Sequence, residues 1–299
     1  MAIGPILVTG GSGQVAQALK VLAPGRDMEV QVLGRPEFDF DQPETLRAVF
    51  ASQPWAYVVN AAAYTAVDAA EADEAGAERA NRDGPGLLAE LSALADIPFI
   101  HISTDYVFDG SKGAPYLETD PTNPTGAYGR TKRDGEERVL ASGGKSIILR
   151  TAWVYAATGK NFVKTMLAAG AKLPKLRVVG DQKGSPTAAA DLATAILDII
   201  AVIETRGWEP AFGGIYHATG SGETTWHGLA VATFAEAQRY HGPSPEVEPI
   251  ATADWPTPAR RPADSRLDNT KLAQTFGVSL PQWRDSLART IDQLLGPQG

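Results

Sequence analysis

Residues 6–16 read Ile6-Leu7-Val8-Thr9-Gly10-Gly11-Ser12-Gly13-Gln14-Val15-Ala16: an apolar run, a cluster of glycines, then the start of an amphipathic stretch. Gly10 permits a tight turn out of a strand, Gly13 lets the backbone approach a pyrophosphate, and small Ala16 lets strand and helix pack closely. The free N–H groups and dipole at the start of that helix, around Gln14 and Val15, favour the anion. A glycine triplet alone carries little weight. At the first strand-to-helix turn of an alternating chain it points to dinucleotide binding over a merely structural turn.

The alternation extends outward from this stretch. Runs at Ile6 to Val8, Val30 to Leu33, Tyr57 to Val59, Phe99 to Ile102 and Ser146 to Arg150 read as strands. Val15 to Ala23, Pro43 to Ser52, Ala69 to Ala95 and Tyr128 to Ala141 read as helices between them. This is the pattern of an α/β, Rossmann-type doubly wound parallel sheet. Beyond Thr151 it loosens, and Pro243 to Pro262 holds six prolines, too irregular for a sheet core. Helical periodicity returns at Ala188 to Glu204, Trp226 to Tyr240 and Trp283 to Leu295. Residues 1–153 are therefore expected to form an NAD(P)-binding domain, with the helix at 188–204 packing back on it. Residues 154–299 are expected to form mainly a smaller mixed α/β substrate-binding lobe. A chain of 299 residues is long enough for both.

Composition narrows the function. With 43% hydrophobic and 21% charged residues the chain reads as an ordinary globular enzyme. No segment approaches the ~18 unbroken apolar residues of a membrane span, and Met1 to Gly10 reads as a first strand, without the features of a secretory signal. The absence of cysteine excludes disulfides and thiolate metal sites and fits a reducing cytoplasm. A net charge of -8 argues against nucleic acid as a partner. An anionic ligand must then meet a local basic patch, and Arg260, Arg261, Arg266 and Lys271 form the strongest one; a solvated loop is the competing reading.

The second strand ends in Gly34-Arg35, where an NAD-preferring site would usually present an acidic residue to the ribose. A guanidinium suits a 2′-phosphate, so Arg35 favours NADPH, with an exposed surface arginine as the competing reading. Asp39-Phe40, just before the next helix, is placed to meet the adenosine. Asn60-Ala61-Ala62-Ala63 follows the third strand with side chains small enough for a cofactor to lie against the backbone.

Ser103-Thr104-Asp105-Tyr106-Val107-Phe108 follows the fourth strand, at the carboxyl edge of the sheet where ligands bind in such folds. Tyr128-Gly129-Arg130-Thr131-Lys132 comes next, with Tyr and Lys four apart and so on one helix face. Carbonyl reduction needs a hydride donor, a proton donor and a group that polarises the carbonyl. A free phenol titrates near 10, and a neighbouring ammonium is expected to lower it. Lys132 can supply that charge, Tyr128 the proton, and Thr104 the hydroxyl that holds the substrate oxygen.

Together these segments resemble the extended short-chain dehydrogenases acting on nucleotide sugars, and among them the dTDP-4-dehydrorhamnose reductases. Further matching motifs are Asn60 through Asp68, Arg150-Thr151-Ala152-Trp153-Val154-Tyr155 and Pro256-Thr257-Pro258-Ala259-Arg260-Arg261-Pro262, so the resemblance covers nearly the whole chain. It implies NADPH-dependent reduction of the 4-keto group of dTDP-4-dehydro-β-L-rhamnose to dTDP-β-L-rhamnose, the last step of dTDP-rhamnose biosynthesis. NADH stays open as a second donor and a homodimer as an assembly state. The implied catalytic residues are Thr104, Tyr128 and Lys132. Tyr64 joins the implied cofactor contacts, which also include Tyr128 and Lys132. The implied substrate contacts are Val67, Thr104, Asp105, Tyr128, Trp153, Asn161, Arg260 and Arg261. Gly159 to Phe162 and Asp181 to Thr187 also match the family pattern and are expected on loops closing over the substrate.

Some members of the family are Mg²⁺-linked dimers using acidic residues of the first helix. Val15 to Ala23 has none, so no such metal site is expected here. The phosphate loop ends in Ala16 where many relatives carry glycine, a tolerable change.

A dehydratase or epimerase would share this fold. Dehydratases generally place Asp-Glu after the threonine, because eliminating water needs an added acid and base. Here Asp105-Tyr106 favours simple reduction. A reductase for a different nucleotide-linked 4-keto sugar would also fit the pattern. So would a non-catalytic NADP-binding regulatory subunit, although the intact Thr104, Tyr128 and Lys132 weigh against it.

Overall fold

Every residue of β1 (Ile6–Thr9) and of β3 (Tyr57–Asn60) is buried, which requires cover on both faces of the sheet. The computed structural model describes residues 3–297; Met1, Ala2, Gln298 and Gly299, counted within the two expected lobes, lie outside them. The remaining strands of the main sheet are β2 (Val30–Leu33), β4 (Phe99–Thr104), β5 (Ser146–Thr151) and β6 (Gly214–His217). They pair in the order β2-β1-β3-β4-β5-β6, all parallel. The chain passes from β1 to β2 on one side and then crosses to β3 on the other. The loops leaving β1 and β3 therefore diverge, and a crevice opens at this switch point.

Alternation along the strands sorts the core. Ile6, Val8, Val59, Ile100 and Leu149 face Val15 and Leu19 of α1 (Gln14–Leu22) together with the helix Ala189–Arg206. Leu7, Val58, Phe99 and Ile148 face the other side, against Leu46 of α2 (Pro43–Ala51), Leu88 of α3 (Gly84–Leu94) and Val139 of α4 (Ala127–Ala141). The helix Ala189–Arg206, here α5, packs along α1 and buries Leu192, Ile196, Ile199, Ile200 and Ile203. Each such side chain is worth about 1.5–3 kcal/mol when fully buried. A third cluster joins Tyr155 and Val163 to Leu229 of α6 (Trp226–Ala237) and to Trp283, Leu287 and Ile291 of α7 (Trp283–Leu295).

The structure departs from the sequence reading in three places. The long helix expected over 69–95 is broken: Val67–Ala70 ends, Asp73 caps a new start by accepting from the Gly76 N–H (3.0 Å), and Arg79–Asp83 forms a π-helical turn before α3. Within Pro243 to Pro262, Glu246–Ile250 is a strand, paired in parallel with Lys175–Val179 away from the main sheet. The sixth strand of the main sheet, β6, is not among the expected strands. Gly214-Ile215-Tyr216-His217 has too little apolar alternation to declare itself and becomes a strand by pairing with Ile147 to Arg150 of β5. Among the described residues no helix is long and apolar enough to cross a membrane.

Candidate active site

The turn after β1 is shaped by its glycines. Gly10 has φ +112°, and a Cβ there would lie 2.8 Å from the Ala61 carbonyl oxygen, so only glycine lets the loops leaving β1 and β3 pass this closely. Gly13 is the N-cap of α1 and makes no side-chain capping bond, which leaves the first N–H groups of the helix available. These loops open onto a cleft of about 1300 Å³. A pyrophosphate fits this cradle, because its donors and helix dipole are those an anion needs.

Gly10, Gly13, Gln14, Val15, Arg35, Phe40, Ala62, Ala63 and Tyr64 line the cleft at this end. Val67, Thr104, Asp105, Tyr128, Lys132 and Trp153 line it too. One cleft therefore gathers the glycine loop and the Thr, Tyr and Lys expected to carry chemistry.

Tyr128 and Lys132 stand on successive turns of α4, and Gly129 between them lets the helix press against the Asp105–Val107 turn. Thr104 Oγ1 donates to Asp105 Oδ1 (3.0 Å) and accepts from the Tyr106 N–H (3.2 Å). The Tyr106 ring meets Tyr128 edge-on, with centroids 5.6 Å apart. Lys132 is buried, and its Nζ donates to the Ile102 carbonyl (2.7 Å). Asn81, carried by the π-helical turn, ties the site together: its Oδ1 accepts from the Tyr64 N–H (2.8 Å), and its amide donates to Thr131 Oγ1 (3.1 Å).

The electrostatics correct one expectation. Burial pushes the Tyr128 phenol up to about 12, while the neighbouring Thr104 hydroxyl pulls the other way. Burial also pulls Lys132 down to about 8, opposed by the Glu136 carboxylate. The lowering of Tyr128 expected from Lys132 does not dominate, because the ammonium is itself disfavoured in so buried a position. Asp105 is pushed up to about 6 by burial, with hydrogen bonds from Ser265 and Thr104 opposing.

Four of the expected site residues do not line the cleft. Asn161 caps the helix Phe162–Gly170 and gives its amide to Gln14 Oε1 (2.9 Å) and the Ala156 carbonyl (2.7 Å), so it clamps the phosphate loop. Arg261 is held by Asp68 (2.9 Å), and Arg260 is exposed, with its carbonyl accepting from Thr125 Oγ1 (3.1 Å). Asp39 holds Arg35 Nε (2.8 Å), while Asp41 takes the other side of the same guanidinium (2.7 Å) and pairs with Arg79 (2.6 Å). Arg35 thus lines the cleft as expected, but engaged by two carboxylates. The basic patch is also largely spent: Arg266 pairs with Asp264 and Glu223, and Lys271 donates to the Ile215 carbonyl.

Other residues of the site carry no signal as such in the sequence. Trp226, which reads only as the start of a helix, lines the cleft and stacks on Trp153 with centroids 3.6 Å apart and planes within 9°. Trp153 has φ +48°, rare for a bulky residue. Its ring lies where a Cβ on Gly184 would stand (2.4 Å), and Trp226 Nε1 donates to Gln182 Oε1 (3.1 Å). The segment 181–187 thus packs behind this aromatic pair. Lys160, beside the Gly159 that touches Gln14, also lines the cleft.

A doubly wound sheet whose switch-point cleft joins a glycine-rich anion cradle to a Tyr–Lys pair on one helix defines an oxidoreductase of the short-chain dehydrogenase type. Residues 4–295 match the RmlD substrate binding domain family. The dTDP-4-dehydrorhamnose reductase of Burkholderia thailandensis is 44% identical to this chain over 299 residues, covering 97% of this chain and 99% of its own. The crystal structure of a dTDP-4-dehydrorhamnose reductase from Clostridium acetobutylicum superposes with a TM-score of 0.88 at 37% identity, covering 97% and 99% of the two chains. That of the Bacillus anthracis dTDP-4-dehydrorhamnose reductase, in complex with NADP, gives 0.89 at 29% identity with the same coverage. The chain belongs to the dTDP-4-dehydrorhamnose reductase family.

Proposed function

We propose that this protein reduces the 4-keto group of dTDP-4-dehydro-β-L-rhamnose to dTDP-β-L-rhamnose with NADPH. The observation that carries the reading is the single cleft holding the glycine loop together with Thr104, Tyr128 and Lys132. Residues 1–153 would hold the dinucleotide, through Gly10, Gly13, Gln14, Val15, Ala62, Ala63 and Tyr64, with Arg35 toward the 2′-phosphate. Residues 154–299 would mainly complete the sugar-nucleotide site, set against Trp153, Val67 and Asp105 of the first segment, with Trp153 as an apolar platform. Bound there, the reduced dinucleotide supplies a hydride to the carbonyl carbon. Tyr128 Oη gives its proton to the carbonyl oxygen, which Thr104 Oγ1 holds in place. The ammonium of Lys132 stabilises the phenolate left behind. Arg260, whose side chain is exposed, would extend toward the pyrophosphate of the sugar nucleotide, and Arg261 would join it by exchanging its Asp68 partner. Thr104, Tyr128 and Lys132 come from one chain, so this chemistry does not require a second copy. A cysteine-free chain suits the reducing cytoplasm, where we place the reaction.

The test is loss of nicotinamide absorbance with purified protein, NADPH and the keto-sugar, followed by product identification. Tyr128→Phe should keep NADPH binding and lower turnover by about 10²–10⁴-fold. Turnover equal to that of the parent would overturn the assignment. No turnover by the parent protein across pH would favour a binding role.

A further inference from the structure

Behind Lys132 a chain of buried polar groups runs from the Ala62 N–H at the cleft wall into the sheet. The Ala62 N–H donates to Asn60 Oδ1 (3.2 Å), and Thr9 Oγ1 donates to the same oxygen (2.5 Å). A backbone N–H can only donate, so this oxygen is the acceptor and the orientation of the Asn60 amide follows. Its Nδ2 then faces His101 Nδ1 (2.9 Å) as a donor. His101 Nδ1 must accept, so in the neutral ring the proton sits on Nε2. That nitrogen lies 3.3 Å from Lys132 Nζ.

We propose that His101 is a positioning residue for the reaction: fixed as the Nε2–H tautomer through Ala62 and Asn60, it presents a donor to Lys132 and so eases release of a proton from the ammonium. An ammonium has no lone pair to accept this hydrogen bond, whereas a neutral amine does. His101, Asn60 and Thr9 are fully buried, so bulk solvent does not reach the ring. The charged and titratable groups around Lys132 are His101 on β4 and Tyr128 and Glu136 on α4. Glu136 is itself paired with Arg150 of β5 (2.6 Å), and Asp105 at the end of β4 acts on Tyr128. Burial pulls His101 well below its ordinary range, with the Lys132 charge adding to the effect, so the imidazole stays neutral.

The consequence for catalysis is a proton reservoir. After Tyr128 has given its proton away, the Lys132 ammonium returns one to the phenolate, leaving a neutral tyrosine and a neutral amine. His101 Nε2–H stabilises that amine until solvent reprotonates it. The inference rests on the proposed reduction for its kinetic meaning, but the tautomer can be read without turnover.

The experiment combines spectroscopy of ¹⁵N-histidine-labelled protein with pH–rate profiles. In the parent protein His101 should show a protonated Nε2 and an unprotonated Nδ1. Asn60→Asp exchanges one donor for an acceptor, so it should move the proton to Nδ1, let Nε2 accept from Lys132, and shift the alkaline limb of kcat upward by about one pH unit. This variant also adds charge, so His101→Leu and His101→Gln accompany it. Leu removes the donor and should move the limb the same way. Gln can accept from Asn60 and donate to Lys132, and should leave it in place. An Nδ1–H tautomer in the parent would overturn the proposal, as would an unmoved limb in His101→Leu or one displaced equally in His101→Gln. If the parent protein lacks keto-sugar turnover, the proposed reduction fails while the tautomer measurement still decides the geometry.

Discussion

The α-carbon of Gly129 faces the carbonyl of Tyr106 so closely that a Cβ on Gly129 would stand 2.2 Å from that oxygen. The contact locks α4, with Tyr128 and Lys132 on either side of the glycine, against the turn that follows Thr104. Gly129→Ala must push the helix away from that turn. Overpacking of this kind typically costs about 1–3 kcal/mol. A lowered denaturation midpoint is expected together with a fall in kcat larger than the change in NADPH affinity, because the displaced groups are those proposed to handle the proton. Thermal unfolding and steady-state kinetics on the same preparation check it.

The engagement of Arg35 by Asp39 and Asp41 bears on the choice of dinucleotide. A 2′-phosphate must compete with two carboxylates for one guanidinium. Asp41→Asn removes one competitor and should raise the preference for NADPH over NADH several-fold. Arg35→Ala should weaken NADPH by roughly tenfold, or about 1.4 kcal/mol, and leave NADH nearly unchanged. Titrations with each dinucleotide read both outcomes, and equal effects on the two would remove Arg35 from the phosphate site.

Asp105 couples the site to pH-dependent stability. Its carboxyl titrates near 3.8 when unfolded and at about 6 in the fold, so between these values the folded chain holds a proton that the unfolded chain has released. The favourable contribution is full below the unfolded value and is lost as pH rises through about 6. Asp105→Asn is neutral throughout. It should therefore be more stable than the parent at pH 8, by on the order of 2–3 kcal/mol, with the advantage vanishing by pH 4. Urea midpoints at the two pH values provide the comparison.

Glu136 and Arg150 form a buried pair, each side chain 3% exposed, and Ser103 Oγ donates to the same carboxylate. Glu136→Gln leaves a guanidinium in the interior without its counter-charge, at a cost of about 3–5 kcal/mol. Ser103→Ala removes one neutral donor and should cost about 1 kcal/mol. A loss of comparable size in the two variants would show that the pair is not the main support.

The parts of the site legible in the sequence are those written in local pattern. Gly10 to Ala16 declare a turn between strand and helix, Thr104 follows a strand, and Tyr128 and Lys132 share a helical face four residues apart. What escapes depends on partners far along the chain. Asn161 reads as available for substrate because its tie to Gln14 spans 147 residues, and Arg261 reads as free because Asp68 lies 193 residues away. His101 reads in sequence as one more residue of an apolar strand. Its meaning arises only when Asn60 on the neighbouring strand and Lys132 on the covering helix converge on its two nitrogens. Likewise β6 is a strand because β5 offers it an edge.

That edge has a consequence for how the chain is made. All six residues of β5 are buried, and the strand that covers its outer side is synthesised some sixty residues later, after the segments carrying Trp153, Asn161 and α5. The division of labour proposed near residue 153 is therefore not a division of folding. As the polypeptide emerges from the ribosome, a sheet with an open apolar margin must wait for Gly214 to His217, and open strand margins are sites of association between chains. Chains truncated near residue 153 should gather in insoluble material, whereas those extending past β6 have the means to close.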